Sequence, residues 1–413
     1  MTYAEKMLAA LSAGDLADAQ LNFEKTQRED SAEIRASLAE ELLQMGFLDE
    51  SEQLIQQLLA EFPEEDSLKV MLAEIAIEDG ETDKAFSILE TIPAGSGSYS
   101  QSLVLQADLY QLLGLPEVSE NKLLEAKKYL PDEPLLDFAL AELYFSEEQY
   151  ARALELYLML NASSTFEAPV NLAERIGVSY TRLGEFETAV AYLEDAVKDT
   201  GSDDTLYELA ITYMQLEESA KAITLLQQLQ AVNPDYMAVY YPLAKMLHDE
   251  GRHQEARDVL QQGLAASPFT VPLYHLASTN AYSLGMVELA EDYLHQALEM
   301  EEDKDHTLLK LSELLINEAR YDEVVSLLSG LENPDQGFAH WYLAQAYNGL
   351  EQFDEARTHY RRAFNWLGSE PDFLKEYGLF LREDGLLEES QSILTRYLHL
   401  VPGDIEILSL LDD

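Results

Sequence analysis

The sequence predicts an all-α fold, a solenoid of stacked helix–turn–helix units, and three observations carry that reading. The stretch Met237–Thr270 spaces Tyr240, Leu243, Ala244 and Leu247 at helical intervals, breaks at Gly251, resumes through Ala256, Leu260 and Gly263, and stops at Pro268. The pattern returns about every 34 residues, the mark of a repeat architecture. Glycine (19) and proline (13) are sparse in 413 residues, whereas Leu, Ala, Glu and Gln, all good helix formers, recur throughout.

Each element follows from the same marks. A glycine closes the first helix of most units: Gly14, Gly46, Gly80, Gly114, Gly184, Gly251, Gly285 and Gly385. Five residues later, in the second helix, stands a small side chain: Ala19, Ser51, Ala85, Ser119, Ala189, Ala256, Ala290 and Ser390. Ala153, Ala222 and Ala356 fill that slot where Glu148, Glu217 and Glu351 replace the glycine. Pro63, Pro131, Pro234, Pro268 and Pro402 close units. In phase with these marks the units run 1–31, 32–65, 66–99, 100–133, 134–169, 170–202, 203–236, 237–270, 271–304, 305–336, 337–370 and 371–404. The segment 405–413 reads as the start of one more helix that caps the stack. The pattern is weakest at 305–336, where Val324 takes the small slot and Pro334 comes early. The junctions 93–98 and 161–169 read either as turns between units or as hinges. Small residues in the first helices, Ala39, Ala73, Ala107, Ala141, Gly177, Ala210 and Ala244, allow close helix approach. One unit cannot bury its apolar stripe alone, but a stack can.

Residues 170–202 combine Gly177, Tyr180, Gly184, Phe186, Ala189 and Ala196, and residues 337–370 combine Ala344, Tyr347, Phe353, Ala356, Tyr360 and Ala363. This arrangement resembles the tetratricopeptide repeat (TPR), and its recurrence covers residues 1–404. The acidity is similar to that of long cytosolic TPR proteins of Gram-positive bacteria. The resemblance implies a right-handed α-α superhelix of about twelve repeats, with first helices lining a concave groove that binds other proteins. The family's clamp for acidic C-terminal peptides uses Lys, Asn and Arg in that groove. Here Arg182, Lys245, Lys375 and Arg382 are scattered among acids, which turns the expectation toward basic ligands.

Composition narrows the function classes. With 78 acidic against 26 basic residues, the net charge of −52 repels nucleic acid and anionic membranes. It favours basic partners, or serves only to keep a long solenoid dispersed. The absence of cysteine excludes disulfides, thiolate metal sites and cysteine nucleophiles. The N-terminus lacks a basic flank followed by a long apolar run, so neither a signal peptide nor a membrane anchor is expected, and the protein reads as cytoplasmic and bacterial. No phosphate-binding loop, dinucleotide fingerprint or nucleophile elbow occurs, and the carboxylates lie on open helices, so no enzyme is expected. Among the eight histidines there is no HExxH, and His248 and His253 straddle Gly251 without sharing a helical face. Neither a metal nor a cofactor is expected.

Helix geometry then selects candidate binding residues. The residue after the buried small one sits about 100° around the helix, and residues four before and three after it share that face. One after the small residue come Glu40, Glu74, Asp108 and Glu142, at spacings of 34 residues. They read as a ladder that receives Lys or Arg, or as a solvated polar face. Four before that outward position stand Tyr207, Tyr241, His275 and Trp341, and three after it stand His248 and Tyr282. These read as an aromatic continuation of the groove or as packing between helices, while Phe138 and Phe145 read as packing. The expected function is a non-enzymatic scaffold or adaptor that holds a basic, partly aromatic segment of a partner protein. The alternatives are a peptide-sensing regulator and a self-associating structural scaffold.

Overall fold

The computed structural model describes residues 1–163, 165–199, 201–300, 302–329 and 337–412. Among them it contains twenty-five α-helices, one short 3-10 turn at Met237–Val239, and no strand. They form two compact units, Met1–Leu216 and Glu217–Asp413. Helix Asp203–Gln215 closes the first unit and helix Ser219–Val232 opens the second.

Within each unit the helices alternate as the repeat demands. The pairs Ala32–Gln44 with Leu48–Glu61, Asp66–Glu78 with Thr82–Leu89, and Tyr240–Asp249 with His253–Ala266 are representative. The turn inside a pair needs one left-handed residue. Gly46 (φ 79°), Gly80 (φ 73°) and Gly251 (φ 72°) supply it without a Cβ penalty. Where glycine is missing, Glu148, Glu217 and Glu351 adopt the same conformation at φ 57°, 59° and 59°. The turn geometry therefore survives its residue, at the expense of strain.

The small slot of the second helix is buried in every pair. Ala85, Ala153, Ala189, Ala222, Ala256, Ala290 and Ala356 are all fully buried. Ser51 and Ser390 use the slot differently: each hydroxyl donates to the first helix of its own pair, to Ala39 O and Gly378 O, both at 2.7 Å. The close approach is tightest at glycine. A Cβ on Gly177 would meet Leu193 Cγ at 2.6 Å, and one on Gly378 would meet Leu394 Cδ2 at 2.4 Å. In the weak repeat, Val324 fills the slot and is fully buried, while Ala319 takes the left-handed turn at φ 55°. Pro334 lies outside the described residues.

The junction 93–98 is a hydrogen-bonded turn, with Ser96 N donating to Pro93 O and Tyr99 N to Ser96 O. The segment after Asp404 is a helix, Ile405–Asp412, with Ile407 fully buried. Asp404 anchors its start, accepting from Ile407 N (3.2 Å), Lys375 Nζ (2.8 Å) and Tyr397 OH (2.7 Å). Those donors, Lys375 first, hold its carboxyl down to about 2.

Candidate protein-interaction surface

In the first unit, Glu40, Glu74 and Asp108 each follow a fully buried alanine, Ala39, Ala73 or Ala107, on the first helix of consecutive pairs. The buried methyl pins the helix rotation, so the next side chain turns outward. Glu40 and Asp108 are exposed, and Glu74 is half-buried. None of the three has an ion-pair partner among the described residues. Glu74 accepts from Gln101 Nε2 at 3.2 Å, a bond that links two successive pairs. Burial raises the Glu74 carboxyl above its ordinary 4.5, the Gln101 amide opposes this, and the charge of Glu40 adds to it. Desolvation by the surrounding chain likewise raises Asp108 above 3.8, although its side chain still reaches water. These carboxylates are thus poorly compensated by their own chain.

Glu142, the fourth expected rung, does not join them. Arg175 of the next pair clamps it with two bonds, Nε to Oε1 at 3.0 Å and Nη2 to Oε2 at 3.2 Å, and the buried Tyr157 hydroxyl also donates to it. Arg175 lies over the Phe145 ring as well, 4.9 Å from its centroid. The expectation of an open fourth carboxylate is corrected: Glu142 is an internal joint between repeats, and Phe145 packs against its partner Arg175. Tyr207, also in the first unit, is half-buried beside the Arg182–Glu208 pair, and burial raises its hydroxyl above the ordinary value.

In the second unit the five expected contact residues part ways. Tyr241 is 42% exposed and remains on the surface. His275 is only 7% exposed, its Nε2 2.8 Å from Thr307 Oγ1, so its placement on an open face is corrected. His248 is half-buried with Nδ1 3.0 Å from Asn280 Oδ1. Its ring lies 4.8 Å from that of His253, because the left-handed Gly251 turn folds the two helix ends together. The two imidazoles lie on separate helices and share no helical face, as their spacing across Gly251 implies, yet the turn brings the rings together. Tyr282 donates to Glu318 Oε1 at 3.1 Å. Trp341 packs edge-on to Phe373 (5.6 Å) and against the C-terminal core, and its Nε1 donates to Glu376 Oε1 at 3.0 Å. Packing, not an open groove, is what fixes that ring.

Glu376 went unnoticed in the sequence. It also accepts from Gln345 Nε2 (2.7 Å) and Tyr360 OH (2.6 Å), so three neutral donors surround it and no cation pairs with it among the described residues. It lines a cavity of about 360 Å³ with Glu383, Tyr321, Tyr360 and Phe380. Gln345 Oε1 is buried at that cavity without a hydrogen-bond partner. Its only sequence signal is a carboxylate two residues before the small Gly378, a register the one-after rule skips.

These features define the class first: a helical-repeat protein whose first helices carry outward, uncompensated carboxylates. The chain belongs to the tetratricopeptide-repeat family, and its coarse function is that of a protein-interaction scaffold. Profiles of YpiA-like tetratricopeptide repeats match residues 111–165 and, for the C-terminal repeats, 338–404. General tetratricopeptide profiles match 171–198 and 207–269. The chain is 32% identical over 411 residues to the TPR repeat-containing protein YpiA of Bacillus subtilis (strain 168), covering 98% of this chain and 96% of that protein. Tetratricopeptide repeat protein 21B of Xenopus laevis is 27% identical over 289 residues, which is 65% of this chain and 22% of that one. Among solved structures, the Cut9–Hcn1 hetero-tetramer of the APC/C aligns with a TM-score of 0.45 at 13% identity, over 98% of this chain and 94% of that one. No helix among the described residues is long and apolar enough to cross a membrane.

Proposed function

We propose that this scaffold binds a basic, extended segment of a partner protein along the first helices of its N-terminal unit. The observation that carries the reading is the run of Glu40, Glu74 and Asp108 on three consecutive pairs, with no ion-pair partner among the described residues. Nearby basic side chains are committed elsewhere: Arg35 to Glu61, Lys84 to Glu52 and Glu81, Lys69 to Asp66. Lys or Arg side chains arriving one repeat apart would offset the burial, and then the Glu40 charge, that raise the Glu74 carboxyl. Charge of this kind steers encounter and sets specificity, and salt weakens it over a screening length of about 8 Å at physiological ionic strength. The cavity at Glu376 and Glu383 offers the C-terminal unit a receptor of the same sign, with Tyr321, Tyr360 and Phe380 as walls for a cation or ring. Tyr241 is the aromatic side chain of the original set left open for contact.

The test compares the full chain with Glu40→Lys/Glu74→Lys/Asp108→Lys and with a control of equal charge, Glu155→Lys/Glu187→Lys/Glu355→Lys, whose residues are exposed on second helices. Partners retained from the native lysate are identified by mass spectrometry, and their basic segments are titrated by calorimetry at low and high salt. We expect the first variant to lose binding by tenfold or more, about 1.4 kcal/mol, because reversal adds repulsion to lost attraction. The control retains it. Equal loss in both variants, or affinity indifferent to salt, overturns the proposal.

A further inference from the structure

One residue of the second unit is strained for a reason the repeat does not supply. Among the described residues, the non-glycine positions with positive φ are Glu148, Glu217, Ala319, Glu351 and Asp303. The first four occupy the turn inside a helix pair. Asp303, at φ 53°, stands between pairs, as the N-cap of helix Lys304–Asn317. Aspartate is a preferred capping residue, yet this carboxylate makes no capping bond. It lies instead beside two imidazoles. One ligand atom each from His275, Asp303 and His306 fall within 4.8 Å of one another, and the two imidazole rings are 5.2 Å apart, edge to face.

The surroundings suit a liganding histidine. His275 is buried on the rigid helix Val271–Ser283. The Thr307 hydroxyl donates to Asp303 O (3.0 Å), so the 2.8 Å contact to His275 Nε2 has the imidazole as donor. Nε2 then carries the proton, and Nδ1 keeps the lone pair a metal takes. Outer hydroxyls and carbonyls of this kind fix the tautomer of metal-bound histidines. Asp303 and His306, three residues apart at a helix start, share one face, and both are exposed and free to adjust. Bond lengths of about 2.0–2.2 Å to nitrogen and oxygen place the ligands of one tetrahedral ion roughly 3.3 Å apart. Small rotations of the two exposed side chains close the set on the fixed His275. Lys310, whose charge acts on His275, opposes a cation there, and the Asp303 carboxylate offsets it.

We propose that His275, Asp303 and His306 bind one divalent transition-metal ion of the zinc type, with water completing its coordination. The ion joins the first helices of two successive repeats across the inter-repeat loop. The two-nitrogen, one-carboxylate donor set favours such an ion over magnesium or calcium, which take oxygen ligands. None of these residues belongs to the carboxylate run of the N-terminal unit, so the two proposals stand or fall separately.

The full chain is stripped with chelator, then titrated with Zn²⁺ by calorimetry in excess Mg²⁺, which occupies the general acidic surface. Thermal melts and the visible spectrum of the Co²⁺-substituted protein are recorded in parallel. One equivalent of Zn²⁺ is expected, with a raised Tm and a Co²⁺ spectrum of low coordination number. His306→Ala and Asp303→Asn, both at exposed positions, should each weaken binding at least about tenfold and abolish the shift in Tm. His399→Ala, an exposed histidine on the last full helix pair, should change neither. No Zn²⁺ binding above the Mg²⁺ background, or equal affinity in His306→Ala, Asp303→Asn and the unaltered chain, overturns the proposal.

Discussion

At the scale of single residues, the carboxylates of this chain divide by what donates to them. Glu142 has Arg175 and Tyr157, Glu61 has both terminal guanidinium nitrogens of Arg35, and Glu376 has three neutral donors, whereas Glu40 and Asp108 face water. The histidines divide as sharply. His340 is buried with its Nδ1 3.0 Å from His359 Nδ1, so one ring donates and the other must stay unprotonated to accept. Burial, then the neighbouring His340 and Arg362, lower His359 from 6.5 to about 4. The unfolded chain takes up this proton as pH falls through 6.5, and the folded chain resists until about 4. The contribution is therefore fully present above pH 6.5 and declines as pH drops toward 4. Between pH 7 and 5, where the unperturbed carboxylates stay ionised, Tm should fall, and His359→Gln should flatten that fall by the equivalent of about 1–3 kcal/mol. Parallel melting curves across this range for the two proteins would remove His359 from the account.

At the scale of the helix pair, the turn rather than the helix is the vulnerable part. The left-handed residue costs an L-amino acid about 1–2 kcal/mol relative to glycine. Glu351→Gly should therefore stabilise the C-terminal unit by about 1 kcal/mol, and Gly251→Ala should destabilise its own pair by a similar amount. The Gly251 Cβ would meet no atom within 4 Å, so the second effect is backbone strain alone and not a clash. Denaturant midpoints measure both, and a loss of stability in Glu351→Gly would show that its side chain does more than occupy the turn. This element was legible in the sequence because glycine's steric freedom leaves a periodic mark. The register one after the small residue was legible as far as Glu40, Glu74 and Asp108. It misled at Glu142, because Arg175 reaches back 33 residues from the next pair. No spacing rule within one helix contains that contact.

At the scale of the whole molecule, charge has two opposed consequences. A net charge of −52 repels itself in any compact state, so added salt should raise Tm even as it weakens binding of a basic segment. Melts and titrations between about 0.02 and 0.3 M salt would separate the effects, since the Debye length falls from roughly 20 Å to under 8 Å over that range. A Tm that falls with salt would mean that ion pairs such as Arg357–Asp384 and Arg320–Glu291 outweigh the general repulsion.

The sequence by itself determined the all-α repeat architecture and the buried small positions. Each is a periodic steric demand, met within about 34 residues and written in every unit. It determined the acidity, which needs only counting. Tertiary structure alone decided which polar side chains stay open. That depends on partners from neighbouring repeats: Arg175 on Glu142, Trp341 on Glu376, Asn280 on His248. It alone brought His275 beside Asp303 and His306, which stand 28 and 31 residues further along the chain. Such contacts form where one repeat stacks on the next, and side chains that meet there carry no periodic mark in either repeat.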